Sequence, residues 1–406
     1  MKSFNLINLI LFIVFIGCKK ESPIILPSTI EGDEIFDSIG FYSVEDVDGA
    51  VYEWTINNDF EIIQGQGTWS IQVKAKRSFA EGEICVKVKN VNEEKRFCKN
   101  IKYEGYVLQS FSIPIAGRKS PFLAAVNNEL YFGLGSNASI NYFNFTGDHN
   151  KIYKINYPDF NSPVLSSVFP QNLKRSSPVY FNYGTKIYVG FGTNQNLAYY
   201  NDLWEYDVSS QTWTQKASNP NLSVELASFF VINNKAHIVG GRNATQFNGT
   251  INHWEYDILS NTWNQLNPFP GGIRFDATGI SDGANGYLIA GTDNISVLSD
   301  VWKFDSSTGN WSSITTFPGS ARSGSFGFKI GDHLYFGSGM DYLGYLYQDF
   351  WKFDLVTLSW TRLPDLPFGI CHTSTTTLNN SAILFGGRIS INFAVSLSNN
   401  IYEIKF

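Results

Sequence analysis

The 406-residue chain has few charged residues, which make up only 16% of it, against roughly a quarter in an average soluble domain. The balance is mildly acidic, with a formal charge of -6, so there is no electrostatic reason to expect nucleic-acid binding. Glycine shows no period of three and apolar content is ordinary, which excludes a collagen-like or disordered chain. The chain is instead rich in aromatic residues (16%) and contains 35 glycines, which favours β-structure with many tight turns.

Cysteine is also scarce, at four residues. There is no CxxC, no HExxH and no cysteine–histidine cluster, so we expect no metal site and no cofactor. Between Cys85 and Cys98 lie a run of alternating apolar and polar residues and then a turn-like run. If the two cysteines face each other across two strands, the turn of the hairpin falls between residues 91 and 92. A disulfide between them is plausible in an oxidising compartment, and two free buried thiols are the alternative. Cys371 would be left unpaired.

The first 17 residues have the layout of a cleaved export signal. Met1–Lys2 is basic, and Phe4–Gly17 is almost wholly apolar but shorter than the ~20 residues of a comfortable membrane span. The end, from Phe15 to Cys18, resembles a bacterial lipoprotein lipobox, although Leu is more usual where Phe15 stands. The resemblance implies cleavage before Cys18 and acylation of that cysteine, whereas an ordinary signal peptide with a chance cysteine is the alternative.

We therefore expect an exported protein, lipid-anchored to the outer membrane of a Gram-negative bacterium through residues 18–30, which form a tether. Whether the folded part faces the periplasm or the cell surface stays open.

Residues 31–105 contain short strand-like runs punctuated by glycines. The runs are Val51–Ile56, Ser70–Ala75 and Glu83–Val88. This segment resembles the PKD-like, immunoglobulin-type β-sandwiches of bacterial surface proteins, and the resemblance implies that Trp54 is the buried core aromatic. The ordinary role of such a domain is spacing or adhesion.

Residues 106–406 carry a repeat whose aromatic head residues stand 48 to 51 residues apart. In each unit an apolar strand that ends in glycine precedes an aromatic residue, the head, with which a short strand begins. In four units the head is a tryptophan. A second tryptophan then follows nine residues later, and a proline follows seven residues after that. The heads are Tyr153, Trp204, Trp254, Trp302, Trp351 and Tyr402. Each unit predicts four strands, and the pattern resembles kelch repeats, the blades of a β-propeller.

The predicted fold class is all-β, a six-bladed kelch-type β-propeller preceded by a small immunoglobulin-like β-sandwich. The sixth unit stops at Phe406, just after its third strand. Segment 107–114 has the spacing of an outer strand, so we expect it to complete the last blade and close the ring.

Candidate site residues follow the repeat prolines. Four to five residues past them stand Arg118, Arg175, Arg274 and Arg322, and the two other blades offer Glu225 and His372 at nearly the same place. Because the first strand of a kelch-type blade lines the central channel, we expect these side chains to gather at its mouth. The arginines would bind a ligand, and Glu225 and His372 would be the catalytic pair of an enzyme. The alternative is that the arginines bond neighbouring loops.

Kelch propellers host oxidases, sugar isomerases and binding modules, so fold alone does not decide function. The loops of the face are rich in Asn, Tyr and Phe, which suits sugar recognition. Our first hypothesis is a non-catalytic binding or scaffold protein, monomeric, that presents a central pocket to a glycan or a surface protein.

The propeller also resembles bacterial N-acetylneuraminate epimerases. That resemblance implies a sialic acid mutarotase in which Glu225 moves a proton and Arg274 or Arg322 holds the substrate carboxylate. A galactose-oxidase-like copper enzyme is the least expected, because such copper needs two histidines and tyrosines on the channel face and the chain has only five histidines.

Overall fold

The structure is a computed structural model that describes residues 25–37, 39–137, 149–194, 196–243 and 248–406. The expected signal and Cys18 lie outside the described residues. The chain forms two compact units, a smaller one built mainly from Ile39–Lys74 and Gly82–Ile101 and a larger one that contains Lys102–Phe406. Within the described ranges, no helix is both long and apolar enough to span a bilayer.

The N-terminal domain is a sandwich of two sheets. One sheet consists of Ile35–Phe36, Glu94–Tyr103, Glu81–Lys89 and Val51–Ile56 in spatial order, and the other of Gly40–Ser43, Ser70–Ala75 and Phe60–Gln64. Alternate residues along Val51–Ile56 are buried, as a strand with one face on the core requires. Trp54 is a buried core aromatic, and its indole N–H donates to the Thr68 carbonyl at 2.8 Å. Cys85 and Cys98 on neighbouring strands are joined by a disulfide.

Six four-stranded antiparallel sheets form the blades, and in the first five the strands pair in chain order. The strands of blades 1 to 3 are Phe122–Val126, Glu129–Gly133, Lys151–Asn156 and Val164–Val168; Val179–Tyr183, Lys186–Gly190, Leu203–Asp207 and Thr212–Gln215; Ser228–Ile232, Lys235–Val239, His253–Asp257 and Thr262–Gln265. Those of blades 4 and 5 are Thr278–Ser281, Asn285–Ile289, Asp300–Asp305 and Asn310–Thr316; Phe326–Ile330, His333–Gly337, Phe350–Asp354 and Ser359–Leu363.

Blade 6 is made from both ends of the repeat array. Its strands are Ser374–Leu378, Ser381–Phe385, Asn400–Lys405 and, on the outside, Val107–Ser112. The outer pair is antiparallel, from Asn400 opposite Ser112 to Lys405 opposite Val107. The first strands of the six blades contact one another in a closed circle, so the array is a closed six-bladed propeller. Closure removes the two sheet edges that an open array would expose.

Short elements add to the face at which each second strand ends. They are Val224–Glu225 paired with Arg242–Asn243, and Gly369–Cys371, Arg388–Ile391 and Ala394–Leu397 in a three-stranded sheet. A 3₁₀-helix, Pro170–Asn172, precedes blade 2.

The outer-strand tryptophans of blades 2 and 3 are hydrogen-bonded to the preceding blade. The indole N–H of Trp213 donates to Ser167 Oγ at 2.9 Å, and that of Trp263 donates to the Ala217 carbonyl at 2.7 Å. Each bond satisfies the one polar atom of a large aromatic side chain that fills the space between two blades.

Candidate functional site

A repeated backbone hydrogen bond aligns the six blades at the start of their first strands. The glycine just after each second strand has a φ between 80° and 100°, which only glycine adopts at little cost, and its N–H donates to a carbonyl in the next blade at 2.8 or 2.9 Å. The six acceptor residues are Arg118, Arg175, Val224, Arg274, Arg322 and Ile370. These six residues are therefore equivalent.

This alignment separates the six predicted site residues into three layers. The arginines form the first layer, Glu225 lies one position further along with Lys119 and Cys371, and His372 lies two positions further along. Counting from the prolines had put all six at nearly the same place. The aligned residue lies five positions after the proline in blade 2 but only three positions after it in blade 6, so the count is not constant between blades.

The four arginines lie inside the blades, and none is more than 1% exposed. Three of them form two hydrogen bonds each to an aspartate of the same blade: Arg175 to Asp202 at 2.7 and 2.9 Å, Arg274 to Asp300 at 2.8 and 2.8 Å, and Arg322 to Asp349 at 2.6 and 2.9 Å. Arg118 donates to the carbonyls of Ala116 and Leu134. These contacts support the alternative that the arginines bond neighbouring loops, and their role in ligand binding stays a prediction.

The sequence analysis missed the aspartates, although they leave a signal. Each stands two residues before the first tryptophan of its blade and donates nothing, but accepts the indole N–H as well, at 2.6 to 2.8 Å. In blades 3 and 6 an aliphatic residue replaces the arginine and an asparagine replaces the aspartate: Val224 with Asn252, and Ile370 with Asn400. In blades 2 to 6 the two positions therefore change together, as a buried ion pair requires, whereas blade 1 keeps Arg118 with Lys151 at the position of the aspartate.

Glu225 is 2% exposed and lies at the start of blade 3. The short strand pairing places it opposite Arg242, whose Nε donates to Glu225 Oε1 at 3.1 Å and whose Nη2 donates to the same oxygen. The Tyr199 hydroxyl donates to Oε1 as well, at 3.3 Å. Among the described residues, Glu225 Oε2 is buried without a hydrogen-bond partner. Burial, and then the charge of Glu225, raise the pKa of Tyr199 to about 12.

His372 meets Asp276 across the hub, with 2.9 Å between Nε2 and Oδ2; we call these two residues the hub pair. They belong to blades 6 and 4, and Gly324 of blade 5 lies between them. A Cβ at Gly324 would sit 3.2 Å from the imidazole and 3.3 Å from the carboxylate, so the missing side chain lets the two groups meet. Burial lowers the pKa of His372, but the charges of Asp276 and Cys371 outweigh it and hold that pKa well above its usual value.

Backbone hydrogen bonds link the layer of the hub pair around the channel. They run from Ser177 to Ser120, Ser120 to His372, His372 to Gly324, Gly324 to Asp276 and Asp276 to Leu226, at 2.7 to 3.1 Å. The first strands beyond this layer line a channel cavity of about 520 Å³. Hydroxyl groups of these strands donate to the next blade, for example Thr278 to the Ser325 carbonyl at 3.0 Å. The first strands are therefore joined to one another around the channel by backbone and hydroxyl hydrogen bonds.

Three other groups contain ionisable or metal-ligating side chains. Lys119, 5% exposed, lies within electrostatic reach of Glu225, Asp276 and Arg388. Among the described side chains, Glu83, Cys85 and Cys98 are close enough to hold a metal, but the disulfide takes both thiols. The Cys371 thiol is buried, 3.6 Å from His372 Nδ1.

Comparisons with known proteins agree with this architecture. A family model described as the KLHDC2/KLHL20/DRC7 Kelch-repeats domain matches residues 122–325, and a model of the PKD-like domain matches residues 23–99. No curated protein matches the chain. Among solved structures, the one titled "Structure of YjhT" is similar with a TM-score of 0.56 and 17% identity, over 71% of this chain and 99% of that chain, which shows the fold alone. The chain therefore belongs to the kelch-repeat family, with a PKD-like domain ahead of its propeller.

Proposed function

We propose that this protein is a carbohydrate-binding propeller, anchored to the outer membrane through an acylated Cys18, which presents its channel mouth to a glycan. The observation that carries the proposal is the state of Glu225, a buried carboxylate. One of its oxygens accepts three hydrogen bonds and the other has no partner among the described residues.

An unpartnered buried carboxylate oxygen is costly, because leaving a buried polar group unsatisfied costs about 1–3 kcal/mol, and more for a charged one. A sugar hydroxyl is a donor that would satisfy it. Arg242, whose side chain is 17% exposed, can offer a second hydrogen bond to a neighbouring oxygen of the same sugar. Carboxylate and guanidinium side by side fit the alternating donor and acceptor character of a sugar's hydroxyl groups.

Binding is tested by isothermal titration of the purified protein with glycans selected on an array. We expect Glu225→Gln to weaken binding by about tenfold or more, which corresponds to about 1.4 kcal/mol. Glu129→Gln is the matched control, since Glu129 is a carboxylate bonded to Tyr131 and Lys154 on the second strand of blade 1. Equal affinity of the Glu225 variant and the parent would contradict the proposal, as would capture of a surface protein with no glycan bound.

A second candidate is a sialic acid mutarotase, and the same carboxylate favours it. Glu225 would take the proton of the anomeric hydroxyl while the ring C–O bond breaks and the ring oxygen receives a proton from a second donor; the reverse steps on the other face give the other anomer. Arg242 replaces Arg274 and Arg322 as the arginine beside Glu225. Exchange NMR of sialic acid anomers distinguishes the two candidates. Exchange that is faster than in buffer, and that is lost in Glu225→Gln, supports the mutarotase. Exchange at the rate seen in buffer, together with a bound glycan, supports the binding protein.

A further inference from the structure

The N-terminal sandwich carries two large aromatic side chains at the surface of its three-stranded sheet. Phe41 is 63% exposed, and Trp69, which directly precedes the central strand Ser70–Ala75, is 44% exposed. Both residues line the same groove, which has a volume of about 590 Å³. Exposed apolar surface that is contiguous and rimmed by polar groups marks a binding site, whereas single exposed apolar residues need no explanation. The groove is therefore a candidate site.

The strand register places polar groups beside the ring of Phe41. Phe41 lies directly opposite Gln72 of the central strand, and the next outward pair is Ser43 and Ser70. Tyr42, between Phe41 and Ser43, is only 1% exposed, because successive side chains of a strand point to opposite faces. All of these residues line the groove, which therefore has an amide and two hydroxyl groups next to an aromatic ring.

The backbone on both sides of Trp69 is held in place. The N–H of Thr68 donates to the Gly65 carbonyl at 3.0 Å and closes the turn before Trp69, and the indole of the core residue Trp54 donates to the Thr68 carbonyl at 2.8 Å. The Trp69 carbonyl accepts the N–H of Val44 at 2.9 Å. An exposed ring on a fixed backbone loses little conformational entropy when a ligand binds, which favours binding.

The groove is uncharged in a domain that is rich in charge. Residues 31–105 contain 24 charged residues out of 75, whereas none of the described residues that line the groove is charged. Such a lining offers no electrostatic attraction to a phosphate, a nucleic acid or an acidic glycan. Flat aromatic rings pack against the C–H faces of a pyranose, and amide groups both donate hydrogen bonds to its hydroxyl groups and accept them. The chemistry of the groove therefore fits an uncharged sugar.

We propose that the sandwich domain binds a neutral β-1,4-linked polysaccharide in this groove. The rings of Phe41 and Trp69 pack against the flat faces of its sugar units, and the amides of Gln64 and Gln72, which line the same groove, bond their hydroxyl groups. A protein partner fits the groove less well, because a stable protein interface takes about 800 Å² from each partner and the exposed apolar surface here is two rings. The groove lies wholly in the smaller unit of the chain, so this inference goes beyond the proposed function and stands without it.

The test uses the full chain with two probes, insoluble cellulose and insoluble chitin. Adsorption isotherms give the affinity from the protein left in solution. We expect the parent to bind at least one of the two probes, and Trp69→Ala and Phe41→Ala each to weaken that binding by about tenfold or more, which corresponds to about 1.4 kcal/mol. Trp69→Phe keeps a ring at the position and should retain part of the affinity. Equal thermal unfolding midpoints of the parent and the variants show that the loss does not come from unfolding.

Val51→Ala is the matched control, because Val51 is an apolar residue of the other sheet that is 66% exposed, and it should leave adsorption unchanged. Adsorption of the parent to neither probe, or equal adsorption of the parent and the two alanine variants, would overturn the proposal. Adsorption that is lost in Glu225→Gln but kept in Trp69→Ala would show that the groove is wrong and the proposed function right. If adsorption depends on Trp69 while no glycan depends on Glu225, the groove is right and the proposed function is wrong.

Discussion

The buried ion pair of blade 5 gives a prediction that the repeat itself helps to design. Arg322 and Asp349 have side chains that are 1% and 13% exposed and share two hydrogen bonds. Burial raises the pKa of Asp349, but the hydrogen bonds and charge of Arg322, with the Trp351 indole, outweigh it and hold that pKa below its usual value. Removing one partner of such a pair leaves an uncompensated buried charge, which costs about 3–5 kcal/mol.

In blade 6 the equivalent positions are uncharged and are occupied by Ile370 and Asn400. We therefore expect Arg322→Ile and Asp349→Asn each to lower the free energy of unfolding by about 3 kcal/mol or more when made alone. The double variant, which reproduces the pair of blade 6, is expected to lie within about 1 kcal/mol of the parent, since replacing a whole buried pair is often near neutral.

The measurement is a double-mutant cycle by urea unfolding, followed by tryptophan fluorescence. With single losses of about 3 kcal/mol each and a double loss of about 1 kcal/mol, the two positions should couple by about 5 kcal/mol or more in this cycle, above the 0.5–3 kcal/mol usual for contacting residues. Arg362→Ile removes an arginine from an exposed pair of the same blade and should cost less than about 1 kcal/mol. If the two single changes simply add in the double variant, the ion pair is not a unit and the reasoning is refuted.

Three further predictions concern stability. Burial lowers the pKa of His237 to about 4 and that of His253 to about 3. As the pH falls, the unfolded chain therefore binds protons before the folded chain does. The free energy of unfolding should be highest above pH ~6.5 and should fall as the pH drops toward 4, by on the order of 3 kcal/mol for His237 alone. Urea titrations across that range should show a smaller loss in a His237→Phe variant, and an equal loss would contradict the burial argument. Gly324→Ala should cost about 1–3 kcal/mol, because its φ of 62° is strained for alanine and the new Cβ would press on the hub pair; a thermal midpoint equal to that of the parent would refute this. Cys85 and Cys98 are 13 residues apart, and reduction of their disulfide should destabilise the sandwich by about 3 kcal/mol. Urea unfolding with and without reductant measures this difference. No change would show that the disulfide does not constrain the unfolded chain.

The sequence determined the architecture because a β-propeller is a local repeat. Glycines, tryptophans and prolines recur at intervals of about 50 residues, and each acts within one blade or between two neighbours. The number of blades can therefore be counted along the chain. The last unit lacks a fourth strand, which predicts that another segment of the chain supplies it. Val107–Ser112 occupies that position.

Only the tertiary structure showed which side chains belong to the site, because successive side chains of a strand point to opposite faces. A shift of one position turns a side chain to the opposite face, and the proline spacing varies by more than that between blades. The register set by the glycine N–H groups separates Arg322 and Glu225 by one position, and both side chains are buried.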